Sequence, residues 1–169
     1  MTEKIVVVDE NDRELCLEDK EKCHEGMGIL HRAFLLVLVR SDGKIVLARR
    51  SKGKRLWPGC WDATIASHPF AGESVEDAAA RRLGEELGVE AREITYHFKF
   101  HYNIPYLGLG AENELCSVLS CRHGGTLRPN PAEVSEVRAV SIQDIGESQD
   151  YSPWMKIAFR RILADKIII

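Results

Sequence analysis

The stretch that most constrains the fold runs from Ile65 to Val89, I-A-S-H-P-F-A-G-E-S-V-E-D-A-A-A-R-R-L-G-E-E-L-G-V. Ser74 followed three residues on by Asp77 is a capping box, and Val75, Ala79, Leu83 and Leu87 recur every four residues along one face. The spacing predicts a short amphipathic helix that begins near Ser74 and ends at Gly88. On it Arg82, Glu85 and Glu86 stand at i, i+3 and i+4, so one cation and two carboxylates share a turn. Such a turn can be a solvated charged face, or it can serve a metal and an anion together.

The rest of the chain supplies a sheet. Ala33 to Arg40 and Lys44 to Ala48 are apolar runs around the turn Ser41-Asp42-Gly43, as expected of a hairpin buried on both faces. Ile5 to Val8 with Glu14 to Leu17 reads as an edge hairpin, and Glu18 to Cys23 as one helical turn ending at His24. Trp61 to Ser67 reads as one strand leading into His68-Pro69. Ile94 to Tyr102, Leu115 to Cys121 and Val134 to Val140 complete the predicted strands of a mixed sheet. Pro105 to Gly110 reads as a loop able to act as a lid. Ser141 to Ile145 is a brief helix, and Ser152-Pro153 opens a last one with Trp154, Ile157, Ala158, Ile162 and Leu163 inward. The terminal Ile167-Ile168-Ile169 has no reading of its own.

Composition narrows the class. With 169 residues, 44% hydrophobic, the chain is expected to form a single α/β domain over residues 1–169. A net charge of -3 offers no general attraction to nucleic acid or anionic membrane, so neither is an expected partner. The start of the chain has no signal-peptide pattern and no apolar run reaches a membrane span, which points to a cytoplasmic protein. Five cysteines without a C-x-x-C indicate buried free thiols. Oligomeric state has no sequence signal.

Within that acidic chain, Arg49 to Arg55 carries five cations in seven residues, a candidate clamp for an anionic ligand or a solubilising loop. Glu112 and Glu114, two apart on a strand, point to the same side and can share a cation. His24 and His31 lie seven apart across a glycine-rich break; they are surface histidines unless a third ligand joins them.

The central stretch resembles the Nudix signature: Ser67 stands at its first glycine, Glu73 at its glutamate, and Arg81 to Val89 on its helix, with departures at Ser67 and Arg82. Arg82 with His68-Pro69 and Gly72-Glu73-Ser74 is similar to one branch, the type 1 isopentenyl diphosphate isomerases. The resemblance implies a Nudix fold, a mixed sheet sandwiched between helices. It also implies a metal held by His24, His31, His68, Glu112 and Glu114, with manganese or magnesium suited to imidazole and carboxylate donors. A second magnesium on Glu86, and Lys20, Arg50, Lys54 and Arg82 for a small diphosphate substrate, are implied too. Glu114 with Tyr102 would handle one proton, and Trp154 would face a carbocation. The family's cysteine before S/G-H-P is matched by Ala66, which has no proton to give. Two other readings stand beside this one: a magnesium-dependent diphosphate hydrolase using Glu73, Glu85 and Glu86, and a non-catalytic prenyl diphosphate binder.

Overall fold

A computed structural model describes residues 3–91, 93–146 and 148–169. Among these, the order is β1 (Lys4–Val8), β2 (Glu14–Asp19), α1 (Lys20–Cys23), β3 (His31–Val39), β4 (Ile45–Arg50), β5 (Trp61–Asp62), β6 (Ile65–Ser67), α2 (Val75–Leu87), β7 (Thr95–Tyr106), β8 (Gly110–Arg122), β9 (Val134–Val140), a 3-10 turn (Ile142–Asp144) and α3 (Pro153–Ala164). The described strands form one mixed nine-stranded sheet. β3 lies at its centre, antiparallel to β4 and β6 and parallel to β8.

Period-two alternation along β3 divides the core between the two faces. Phe34, Leu36 and Leu38 pack with Ala78, Ala79, Leu83 and Leu87 of α2. Ala33, Leu35 and Val37 pack with Trp154, Met155, Ala158, Phe159 and Ile162 of α3. The mixed sheet between helices is therefore as expected. α2 starts as its sequence indicates: the Ser74 side chain accepts from the Asp77 N–H, and Gly88 closes the helix in the left-handed region at φ 65°.

Several local expectations are corrected. The run from Trp61 to Ser67 is two strands, because β5 pairs with β4 whereas β6 pairs with β3. The break is built by side chains: Asp62 accepts from the Ala63 N–H at 2.8 Å, and Thr64 Oγ1 bridges Leu38 N of β3 and Val46 O of β4. The segment Pro105 to Gly110 is the tip of the long β7–β8 hairpin, paired as far as Tyr106 and Gly110. It is a tight turn and not a long lid. On α3, Met155 and Phe159 face inward, whereas Ile157 and Leu163 are 38% and 43% exposed. Positions 154, 155, 158, 159 and 162 form one stripe at 3.6 residues per turn, and 157 and 163 fall beside it. Cys16 is exposed and Cys60 half-buried, so only Cys23, Cys116 and Cys121 are buried thiols. Ile167 and Ile169 pack on the α3-side core and Ile168 is exposed, which accounts for part of the terminal run. Among the described residues, no helix is long and apolar enough to cross a membrane.

Candidate metal and anion site

The sheet register brings distant polar side chains together. His31 opens β3 directly beside Glu114 of β8, and Tyr102 of β7 is the cross-strand neighbour of Glu114 on its other side. His68 follows β6 immediately, where Ser67 pairs with Phe34. His24 caps α1 and is tied to the same strand by the Ala111 N–H, which donates to the His24 carbonyl at 3.1 Å. A side chain at Gly110 would collide with that carbonyl, and one at Gly28 would come 2.9 Å from Asn113 Cβ. Glycine at these two places lets the His24 loop lie against β8.

The result is a buried group in which ligand atoms of His24, His31, His68 and Glu114 all lie within 4.8 Å of one another. His68 Nε2 is 3.0 Å and His31 Nε2 3.3 Å from Glu114 Oε1, and the two imidazole nitrogens are 3.2 Å apart. Glu112 joins through His24 Nε2, 2.8 Å from its Oε2. All five residues are at most 7% exposed.

Two outer bonds orient the rings. His24 Nδ1 lies 2.6 Å from the Lys20 carbonyl and His31 Nδ1 2.8 Å from the Ile29 carbonyl. A carbonyl only accepts, so each Nδ1 carries its hydrogen, leaving His24 Nε2 to face Glu112 and His31 Nε2 to face Glu114. Lone pairs crowded on a carboxylate repel unless a proton or a metal cation lies between them. Three imidazole nitrogens with two carboxylates suit a divalent ion of five or six ligands better than a four-coordinate thiolate site. Burial, reinforced by His31, holds His68 well below its ordinary value, so it is neutral near pH 7. Burial also acts to lower His24, but the hydrogen bond and charge of Glu112 outweigh it and raise the group. For Glu114 the upward push of burial is overcome by His31, His24 and the Tyr102 hydroxyl, which donates to Oε2.

This group borders a cavity of about 370 Å³ whose lining includes Lys20, Arg50, Lys54 and Arg82 together with Tyr102, Trp154 and Leu56. Tyr102 and Trp154 are nearly parallel, with ring centroids 6.0 Å apart. The cations are restrained. Arg82 donates to Glu86 at 2.7 and 3.1 Å and to Glu85 at 2.8 Å. Lys54 pairs with Glu133, which also lies 3.4 Å from Arg82; Lys20 pairs with Glu3 at 2.9 Å. Arg50 donates to the Trp57 and Leu56 carbonyls, and its guanidinium carbon is 5.5 Å from the Trp154 ring centroid.

Glu86 does not belong to the histidine group; it is buried against Arg82 at the edge of a smaller adjoining void. Glu73 and Glu85 are engaged elsewhere. Glu73 takes two bonds from Arg81, at 2.8 and 2.9 Å, and one from the Phe70 N–H, while Glu85 is largely exposed beside Arg81 and Arg82. Ala66 lines the cavity, and no cysteine does so among the described residues. Sequence reasoning missed Glu133, whose proline-flanked loop carries no signal, and Asp62. A charged residue inside an apolar strand was a usable sign for Asp62. It is 2% exposed and accepts from the Trp154 indole at 2.9 Å.

The NUDIX domain family matches residues 29–162. Over 95% of its length the chain is 37% identical to a Halobacterium salinarum protein named isopentenyl-diphosphate Delta-isomerase, covering 80% of that protein. Proteins of the same name from Haloarcula marismortui and, as isomerase 1, from Bos taurus are 37% and 34% identical over 94% and 87% of the chain, covering 90% and 73% of theirs. Among solved structures, one from Deinococcus radiodurans superimposes with a TM-score of 0.76 at 21% identity, covering 94% of this chain and 98% of its own. A MutT protein from Methanosarcina mazei gives 0.70 at 17%, covering 82% and 96%. These two likenesses establish the fold.

Proposed function

The chain belongs to the NUDIX-domain family and, within it, to the isopentenyl-diphosphate Delta-isomerases, and from that premise we propose that it interconverts isopentenyl and dimethylallyl diphosphate. The observation that carries the proposal is the convergence of three histidines and Glu114, with Glu112 joined through His24, at a cavity that cations and two aromatic rings also line. A diphosphate needs the cations, and a five-carbon chain needs the aromatic and apolar lining.

In this reading Lys20, Arg50, Lys54 and Arg82 hold the diphosphate. Carboxylates hold Lys20, Lys54 and Arg82, and the Trp57 and Leu56 carbonyls hold Arg50, at the cavity lining, which reduces the ordering required on binding. His24, His31, His68, Glu112 and Glu114 would hold magnesium or manganese, and Glu86 would contribute to a second ion. A divalent ion at the histidine group would stabilise the ionised carboxylates and keep Glu114 available as a base. Glu114 Oε2, hydrogen-bonded to the Tyr102 hydroxyl, removes or returns a proton at one allylic carbon of the substrate. The Trp154 face stabilises the tertiary cation, and the apolar lining keeps water from capturing it.

The hydrolase reading lacks this support. Its metal set needs Glu73, which Arg81 occupies through both oxygens, and Arg82 stands where the hydrolytic glutamate belongs. The test is proton NMR of isopentenyl diphosphate incubated with the protein and Mg or Mn. Appearance of the dimethylallyl methyl signals without inorganic phosphate supports isomerisation. Phosphate release, or an unchanged spectrum, refutes it.

A further inference from the structure

The reaction needs a proton delivered to the terminal alkene carbon, and at the place of the family's thiol stands Ala66. Neither of the nearest thiols lines the cavity: Cys116 is buried in the core with Tyr102, and Cys60 packs against that core from its edge. Ser67 lines it, but an alcohol without a strong base partner is a weak acid.

Adjoining Ala66 is the second void, about 20 Å³, which is room for one water molecule. Ala66, Arg50 and Lys54 line both spaces, so the void and the cavity adjoin at these three residues. Its other polar walls are Asp62, Thr64, Glu86 and Glu133, and of the three carboxylates Glu86 is paired with Arg82 and Glu133 with Lys54. The two oxygens of Asp62 are unlike. Oδ1 accepts from the Ala63 N–H at 2.8 Å, the Ser152 hydroxyl at 2.7 Å and the Trp154 indole at 2.9 Å. Oδ2 has only a longer contact with the same indole, at 3.1 Å, and Arg50 at 3.6 Å. Oδ1 is saturated, so Oδ2 is the oxygen with room to carry a proton and to bond a water.

We propose that Asp62 replaces the absent thiol, delivering its Oδ2 proton through one water in this void, past the Ala66 methyl, to the substrate alkene. Burial of the carboxyl favours its protonated form against the opposing charge of Arg50, in keeping with that role. In the forward direction the Asp62 O–H bond breaks toward the water oxygen, and a water proton forms the new C–H bond with the alkene electron pair. The tertiary cation then loses a proton to Glu114, and the C–H electrons become the new double bond. Asp62 ends ionised and Glu114 protonated; exchange with solvent restores both. The proposal rests on the isomerase reading above.

The test is a double-mutant cycle on the full chain with Mg and Mn present, following isomer conversion. Asp62→Asn keeps an oxygen for Trp154 but has no acidic proton, and should lower kcat by about 10²- to 10⁴-fold with little change in KM. Adding Ala66→Cys should restore Asp62→Asn to within about tenfold of Ala66→Cys alone, because a thiol in the cavity bypasses the carboxyl. If Asp62 only positions Trp154 and Arg50, the thiol will not rescue, and that result overturns the relay. So does Asp62→Asn with activity near that of the unmodified protein. If Asp62→Asn does not fold, Asp62→Ser is judged by the same two criteria. As an independent readout, a crystal structure resolving solvent should show a water bonded to Asp62 Oδ2 in this void; an ordered void without one overturns the proposal. An inactive unmodified protein refutes the isomerase reading and the relay with it.

Discussion

Replacing Arg82 with alanine should destabilise the fold in a pH-dependent way. Arg82 and Glu86 side chains are 17% and 8% exposed and bonded at 2.7 Å, so removing the guanidinium leaves a buried carboxylate with only the more distant Lys54 to oppose its charge. Breaking a buried pair costs about 3–5 kcal/mol, and partial access of water to this one brings the expectation to about 2–3 kcal/mol near pH 8. The bond to Glu85, whose side chain is 46% exposed, adds little. In a chain of this length that is a fall in Tm of about 4–12 °C. Burial already raises Glu86 above its ordinary 4.5 despite Arg82. A carboxyl raised on folding favours the folded state at low pH and loses that advantage as pH rises through its folded value. Without Arg82 it rises further, so the loss should be larger near pH 8 than near pH 5, where protonation caps it. Urea unfolding at both pH values measures this, with Arg82→Ala/Glu86→Gln as the relieving double variant. An equal loss at both pH values, or no relief in the double variant, would refute the reasoning. The same Arg82→Ala protein should bind inorganic diphosphate more weakly by about 1–3 kcal/mol, read by calorimetry.

Other outcomes follow from the same geometry. His31→Ala should weaken Mn binding by at least about tenfold while leaving a folded protein, as measured by electron paramagnetic resonance titration; unchanged affinity would remove the histidine group from the metal account. Metal affinity should rise with pH through and above 6.5, the ordinary histidine value, because Glu112 holds the competing proton on His24 to higher pH. Glu73→Gln should lower stability by about 1–3 kcal/mol through loss of the Arg81 bonds, yet leave isomerisation intact; a loss of catalysis in a folded protein would revive the hydrolase set. The hydrogen bonds of Arg81, ahead of the opposing effect of burial, hold the Glu73 carboxyl below 4.5. That stability is present above its unfolded value and lost as pH falls through the folded one, so Glu73→Gln and the parent should converge in acid.

Much of this was legible because local signals agreed. Ser74, Asp77, Leu83 and Gly88 define α2 by capping and periodicity alone, and Glu112 and Glu114 had to share a face once their strand was recognised. The histidines were not legible in that way. His24 and His31 carry no spacing that distinguishes ligand from surface: His31 is buried by the parallel pairing of β3 with β8, where it meets Glu114 eighty-three positions on, and His24 by the loop held to Ala111 of β8. Only the resemblance gathered them. Asp62 and Glu133 stayed hidden for a related reason: their roles depend on Trp154 and Lys54, which approach from other elements. The misread strand at Trp61 to Ser67 shows the same limit, since Thr64 bonds both β3 and β4 and no local pattern records a change of partner.

The proposed reaction moves protons on a bound prenyl chain without touching phosphorus. Incubating the Mn- and Mg-loaded protein with isopentenyl diphosphate in deuterated water, and recovering the prenyl diphosphates for mass spectrometry, tests it most directly. Isomerisation gives deuterium in the five-carbon chain, dimethylallyl diphosphate among the products and no inorganic phosphate. Phosphate with an unlabelled chain, or an unlabelled and unchanged substrate, would contradict it.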